Sequence, residues 1–191
     1  MSSETKFMYQ LKITLDGVRP PIWRRILVSN ETTLDQLHSI IQIVMGWEDA
    51  HLHDFSIGDK RYKQNPEELE IDWMDDEAGI KLSSFIIGEK FKFSYQYDFG
   101  DSWYHTVLVE KILPSDPNQI LPLCVKGKRS GPVEDVGGVW GYMHFVEAIN
   151  DPNHPAYADL RDWYYGDNVQ QYDAEAFDMN EVNTTFRKIF K

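Results

Sequence analysis

Cysteine is nearly missing from this 191-residue chain: the one present, Cys124, excludes an internal disulfide and any zinc site built from several cysteines. Positive charge is the scarce sign. Nineteen lysines and arginines face 31 aspartates and glutamates, for a formal net charge of −12. A field of that sign repels nucleic acid and anionic membrane, so neither is an expected partner; a protein or a small ligand is. No apolar run approaches the roughly 18 residues of a spanning helix. The opening Met1–Lys6 segment is polar, so no secretory signal is expected. No GxSxG elbow, phosphate-binding glycine loop or dinucleotide fingerprint occurs. Low-complexity segments and internal repeats are absent too. These absences leave a protein of a reducing compartment, read as cytoplasmic, with residues 1–191 as a single domain.

Aromatics are plentiful at 14% of the chain, and hydrophobic residues reach 42%, enough for a packed core. Phe7, Tyr9, Leu11, Ile13 and Leu15 alternate with polar residues, which predicts a strand with one buried face. Asp16-Gly17 turns the chain, and Ile22–Val28 returns it. Thr33 opens the best helix, with Gln36 at capping-box spacing, an apolar stripe from Leu34 to Met45, and Gly46 as a left-handed stop. His51–Ile57 and Lys60–Lys63 read as a strand pair, and Lys90–Leu113 as the clearest β segment, with Phe91, Phe93, Tyr95, Tyr97 and Phe99 on one face. Residues 64–79 hold seven acids and no basic residue, an acidic loop with Trp73 and Met74 as anchors; residues 114–141 are rich in proline and glycine and read as irregular. Helices are predicted near 142–150, from Pro155 towards Gly166, and from Asp178 onwards. Strands precede helices, so the expected class is α+β: a mainly antiparallel sheet packed by an N-terminal helix and several C-terminal helices.

Several constellations admit two readings. His51 and His53, two apart on a predicted strand, share a face roughly 6.5–7 Å apart and can bind one metal, or one packs under aromatics while the other is solvated. Asp98, Asp101 and His105 flank a glycine turn: either a carboxylate–histidine pair lining a cleft, or the side chains a tight turn requires. Arg24 and Arg25 point to opposite sheet faces, one of them able to pair with a carboxylate. Glu134-Asp135 precedes Gly137-Gly138, as a constrained loop or as a helix entry. His38 and Cys124 read as structural, and His154 as a loop residue. The candidate cleft is Arg24, Trp47, Asp98, Asp101, Trp103, His105, Glu134 and Asp135; the candidate metal ligands for a divalent cation are His51, His53 and His105.

A set of phrases carries a family resemblance. In order they are Arg19-Pro20-Pro21-Ile22-Trp23-Arg24-Arg25, Leu37-His38, Met45-Gly46-Trp47 and His51-Leu52-His53-Asp54-Phe55. Then come the run from Tyr95 to His105, YQYDFGDSWYH, and Pro132 to Gly138, PVEDVGG, with Gly141-Tyr142. Together they resemble the plasmid pRiA ORF-three-like family, whose members also occur as passengers of insertion sequences. The resemblance implies a mobile-element-associated protein and brings no established activity. Some members carry a transposon-resolvase label, but a serine recombinase needs an arginine-surrounded serine and a basic DNA-binding module. Here residues 147–181 hold nine acids against Arg161 alone. The family's later loop often carries three cysteines. Cys124 and Gly127 remain, but Gly131 and Val136 stand in the other cysteine positions, which leaves no thiolate-rich metal site there. The expected function is a non-catalytic binding or interaction domain; the alternative is a metal-assisted hydrolase or nuclease-like enzyme using His51, His53, Asp98, Asp101 and His105.

Overall fold

The computed structural model describes residues 7–64, 73–165 and 172–190. The strands are β1 (Phe7–Leu15), β2 (Trp23–Ser29), β3 (His53–Ile57), β4 (Lys60–Lys63), β5 (Asp75–Asp76), β6 (Lys92–Tyr97), β7 (Trp103–Pro114) and β8 (Leu123–Lys128). The helices are α1 (Leu34–Met45), α2 (Gly138–Ile149), α3 (Tyr157–Tyr165) and α4 (Met179–Ile189). The strands form one sheet in the order β5-β4-β3-β6-β7-β1-β2-β8. All neighbours are antiparallel except β4 and β5, so the class is α+β as the strand-then-helix pattern predicts.

Alternation sets the two faces. Leu11, Ile13, Ile26, Phe55, Phe93, Tyr95 and Val107 occupy the buried side, and α1 covers them with Leu37, Ile40, Ile41 and Val44. Gln36 Oε1 accepts from the Thr33 backbone N–H at 3.1 Å, and Gly46 ends the helix at φ 78°, a conformation open to glycine without strain. On the other face, a β-bulge leaves Glu110 between the residues paired with Gln10 and Leu11. Glu110 takes the Arg25 guanidinium in two hydrogen bonds, at 2.5 and 2.8 Å, and this holds its carboxyl below the usual range. Arg24, one residue earlier, is buried beneath α1. The two arginines do part to opposite faces.

Three local readings differ. Residues 114–141 contain a strand, β8, whose pairing with β2 is bulged between Arg25 and Ile26; the irregular register hides its period. Helix α2 begins at Gly138, earlier than the apolar spacing from Tyr142 suggests, because Gly137 and Gly138 enter it at positive φ. Phe99 does not continue the buried row of Tyr95 and Tyr97. Asp98 takes φ 55° and breaks the alternation, leaving Phe99 40% exposed. Of the acidic stretch, residues 65–72 lie outside the described residues, as does Gly166 after α3. Met74 is buried as an anchor, whereas Trp73 is 65% exposed.

Candidate functional site

At one end of the sheet the tyrosines of β6 reach past their neighbours and end in hydroxyls that organise two polar groups. Tyr95 serves the inner one. Its hydroxyl accepts from Gln42 Nε2 at 3.0 Å and lies 2.8 Å from His38 Nδ1. The Asp49 carboxylate can only accept, so the neutral His38 ring donates its Nε2–H to Asp49 Oδ1 at 2.7 Å, and its bare Nδ1 takes the Tyr95 hydroxyl proton. His53 stacks on His38, centroids 3.5 Å apart and planes within 4°, and its Nε2 lies 3.0 Å from both oxygens of buried Glu77. Burial, with neighbouring His53 second, holds His38 down to about 4. Parallel rings cannot share a cation well, because an ion in the plane of one lies well outside the plane of the other.

Tyr97 serves the outer group. Its hydroxyl accepts the backbone N–H of Ala50 at 3.0 Å and of His51 at 3.3 Å, and donates to Glu134 Oε1 at 2.6 Å. Burial, then Glu134, pushes its ionisation far up. Glu134 Oε2 accepts from Glu48 N at 2.9 Å, and Trp47 Nε1 donates to Pro132 O at 2.9 Å. These bonds hold the 132–135 loop over His51. Nε2 of His51 then lies 3.0 Å from Asp135 Oδ1 and 3.8 Å from Asp98 Oδ2. Asp98 is set by its own N–H on Leu52 O and by Gly100 N on its Oδ1. Asp101 Oδ2 accepts from Gly137 N at 3.1 Å, pinning the turn to the entry of α2.

The predicted site residues therefore divide. Asp98, Asp135 and His51 come together; Glu134 and Asp101 brace them; Trp47 stacks on Tyr97 with centroids 4.8 Å apart. His51 precedes β3 rather than joining it, so it shares no strand face with His53. His105 and Trp103 are sealed in the core: His105 Nδ1 donates to Trp103 O at 3.0 Å, and burial holds the imidazole down to about 4. The three candidate histidine ligands thus occupy separate neighbourhoods. Arg24 lies below Trp47, its Nε on Val44 O at 2.6 Å and its Nη1 on Trp23 O and Lys128 O at 3.0 Å. Burial lowers it to about 10, and the carbonyl end of α1 supplies the negative partner. Sequence reasoning missed Tyr95, Tyr97, Glu77 and Asp49. Tyrosine in place of phenylalanine at alternate strand positions was the available signal; nothing in the sequence marks Glu77.

Around the C-terminal end of α1 run two adjoining cavities of about 650 and 450 Å3, which share Gly46, Gly131 and Tyr172 on their walls. Trp47 and Phe177 line the first, and Glu134 and Asp135 the second. Six carboxylates border the pair, those of Asp173, Asp178, Glu181, Glu48, Glu134 and Asp135. Among the described residues the one guanidinium on these walls, that of Arg24, is committed to backbone carbonyls.

A mainly antiparallel sheet with one helix across it, closed by a late helical set, makes this an α+β protein. The plasmid pRiA4b ORF-3-like family matches residues 7–181, and the chain belongs to that family. The uncharacterized protein y4hQ of Sinorhizobium fredii is 35% identical over 179 residues, covering 91% of this chain and 88% of that protein. The crystal structure of a protein of unknown function, MM3350 from Methanosarcina mazei Go1, superposes with a TM-score of 0.81 at 36% identity, covering 92% of this chain and 97% of that one. Among the described residues, no helix is long and apolar enough to cross a membrane.

Proposed function

We propose that the protein is a non-catalytic binding domain, associated with mobile elements and acting in the cytoplasm, that takes a positively charged ligand in the groove around the end of α1. The observation that carries this reading is the charge balance of the groove: among the described residues, six carboxylates border it, and the single guanidinium on its wall is spent on the backbone. Aromatic walls beside carboxylates suit amines and guanidinium groups, which gain from both the acid and the ring face. A basic protein segment with an aromatic or aliphatic residue fits that chemistry. Metal-assisted hydrolysis is the competing reading. It loses His53 and His105, because a group sealed in the core cannot meet a substrate.

Fluorescence anisotropy with a labelled Lys/Arg-rich peptide containing one aromatic residue tests the proposal, with its acidic counterpart as control. The basic peptide binds, weakens as salt is raised, and loses affinity several-fold in Glu181→Lys. Equal binding of both peptides, or binding of neither, defeats it.

A further inference from the structure

We propose that His51, Asp98 and Asp135 form a site for one first-row divalent cation, Zn2+ or Mn2+. The three residues come from the approach to β3, the turn after β6 and the loop before α2, and their ligand atoms all lie within 4.8 Å of one another. Four ligands at zinc's bond lengths of 2.0–2.2 Å stand about 3.4 Å apart at tetrahedral angles. The 3.0 and 3.8 Å separations from His51 Nε2 bracket that value.

A second observation is independent of the grouping. His51 Nε2 is out of contact with solvent, yet makes no hydrogen bond, although Asp135 Oδ1 is 3.0 Å away. The contact falls outside hydrogen-bond geometry, so Nε2 is left without a hydrogen-bond partner beside two carboxylates. The supporting bonds are also complete without these atoms. Asp98 Oδ1 is occupied by Gly100 N, leaving Oδ2 turned to His51. Glu134 is held by Tyr97 and Glu48, which places the adjacent Asp135. Both Asp98 and Asp135 sit at positive φ, 55° and 58°, conformations that cost energy and are kept where the surroundings fix them.

One imidazole with two carboxylates suits a borderline cation. Three protein ligands leave at least one coordination position for water or a ligand, and Asp135 also lines the second cavity. This site does not depend on the basic-ligand reading of the groove: cation uptake and peptide binding are measured separately, and either can fail alone.

The test is isothermal titration of chelator-treated full-length protein with ZnCl2 and MnCl2. The expected result is one cation per chain. Affinity falls at least tenfold in His51→Ala and in Asp98→Asn, and is unchanged in His144→Ala, which alters a histidine elsewhere. Thermal melts of the metal-free variants confirm that they fold. Should either variant misfold, wild-type NMR decides: Mn2+ broadens the His51 imidazole signals first and leaves those of His38 and His53 sharper. No uptake of either cation, uptake that survives His51→Ala, or broadening centred on another histidine overturns the proposal.

Discussion

His53 and His51 are two residues apart, and the chain treats them in opposite ways. His53 opens β3, pairs across the ladder with Tyr97, stacks on His38 and gives its Nε2 to Glu77. Both ring nitrogens of His38 and Nε2 of His53 have partners inside the protein. His51 lies just before the ladder begins, edge-on to the Tyr97 ring at 5.9 Å, and meets carboxylates from two turns. Its Nε2 ends without a hydrogen bond. The inner group is closed and serves stability; the outer one is held open by neighbours that are themselves satisfied. A histidine beside carboxylates is thus no guide to function until its remaining partners are counted.

The comparison can be broken most severely at Glu77. Glu77→Ala leaves the buried His53 imidazole without its carboxylate, and the expected loss is about 3 kcal/mol, read from the urea midpoint. Acid attacks the buried histidines next. His38 and His105 are both held to about 4, below the 6.5 of an exposed imidazole, so the unfolded chain binds more protons in between. Their contribution is intact above about pH 6.5 and is lost as pH falls towards 4. One such group costs roughly 2 kcal/mol by pH 5. Urea midpoints at pH 7, 6 and 5 should therefore fall in that order.

Tyr97→Phe sharpens the contrast by removing a hydroxyl that serves the outer group alone. It strands two backbone N–H groups and frees Glu134, for about 1–2 kcal/mol of stability. Cation affinity at His51 should drop by roughly 10- to 100-fold, the range seen for supporting shells of metal sites. The smallest expected effect on stability is that of Asp135→Asn. This side chain is 69% exposed, and its loss should change stability by less than about 0.5 kcal/mol while removing cation uptake. A large destabilisation in Asp135→Asn, or none in Glu77→Ala, would erase the distinction between the two groups.

Much of the fold was legible because it rests on local periodicity. The alternation in β1 and β6, the Gln36 half of the α1 cap, the Gly46 stop and the Asp178 cap, which accepts from Asn180 N and Glu181 N, all follow from neighbours in sequence. Strand β8 was not legible, since its bulged pairing with β2 is a tertiary fact. The site was partly legible. Asp98, Asp135 and His51 were all candidates, but their grouping depends on one backbone inversion at Asp98 and on the 132–135 loop reaching across to Tyr97. Spacing alone paired His51 with His53, because it assumed the strand began two residues sooner. Glu77 was invisible: its role follows from β5 lying beside β4, a pairing with no sequence signature.

Gly131 has a wider consequence. A Cβ there would come within 1.9 Å of the Met45 carbonyl oxygen, so the loop rests backbone to backbone against the last turn of α1. Any larger residue at this position forces the helix end and the loop to separate. Since the two adjoining cavities meet at this point, that one position acts as the spacer of the groove. A relative carrying a side chain here would open a broader channel, and homologues of one architecture would then differ in the girth of the molecule they admit.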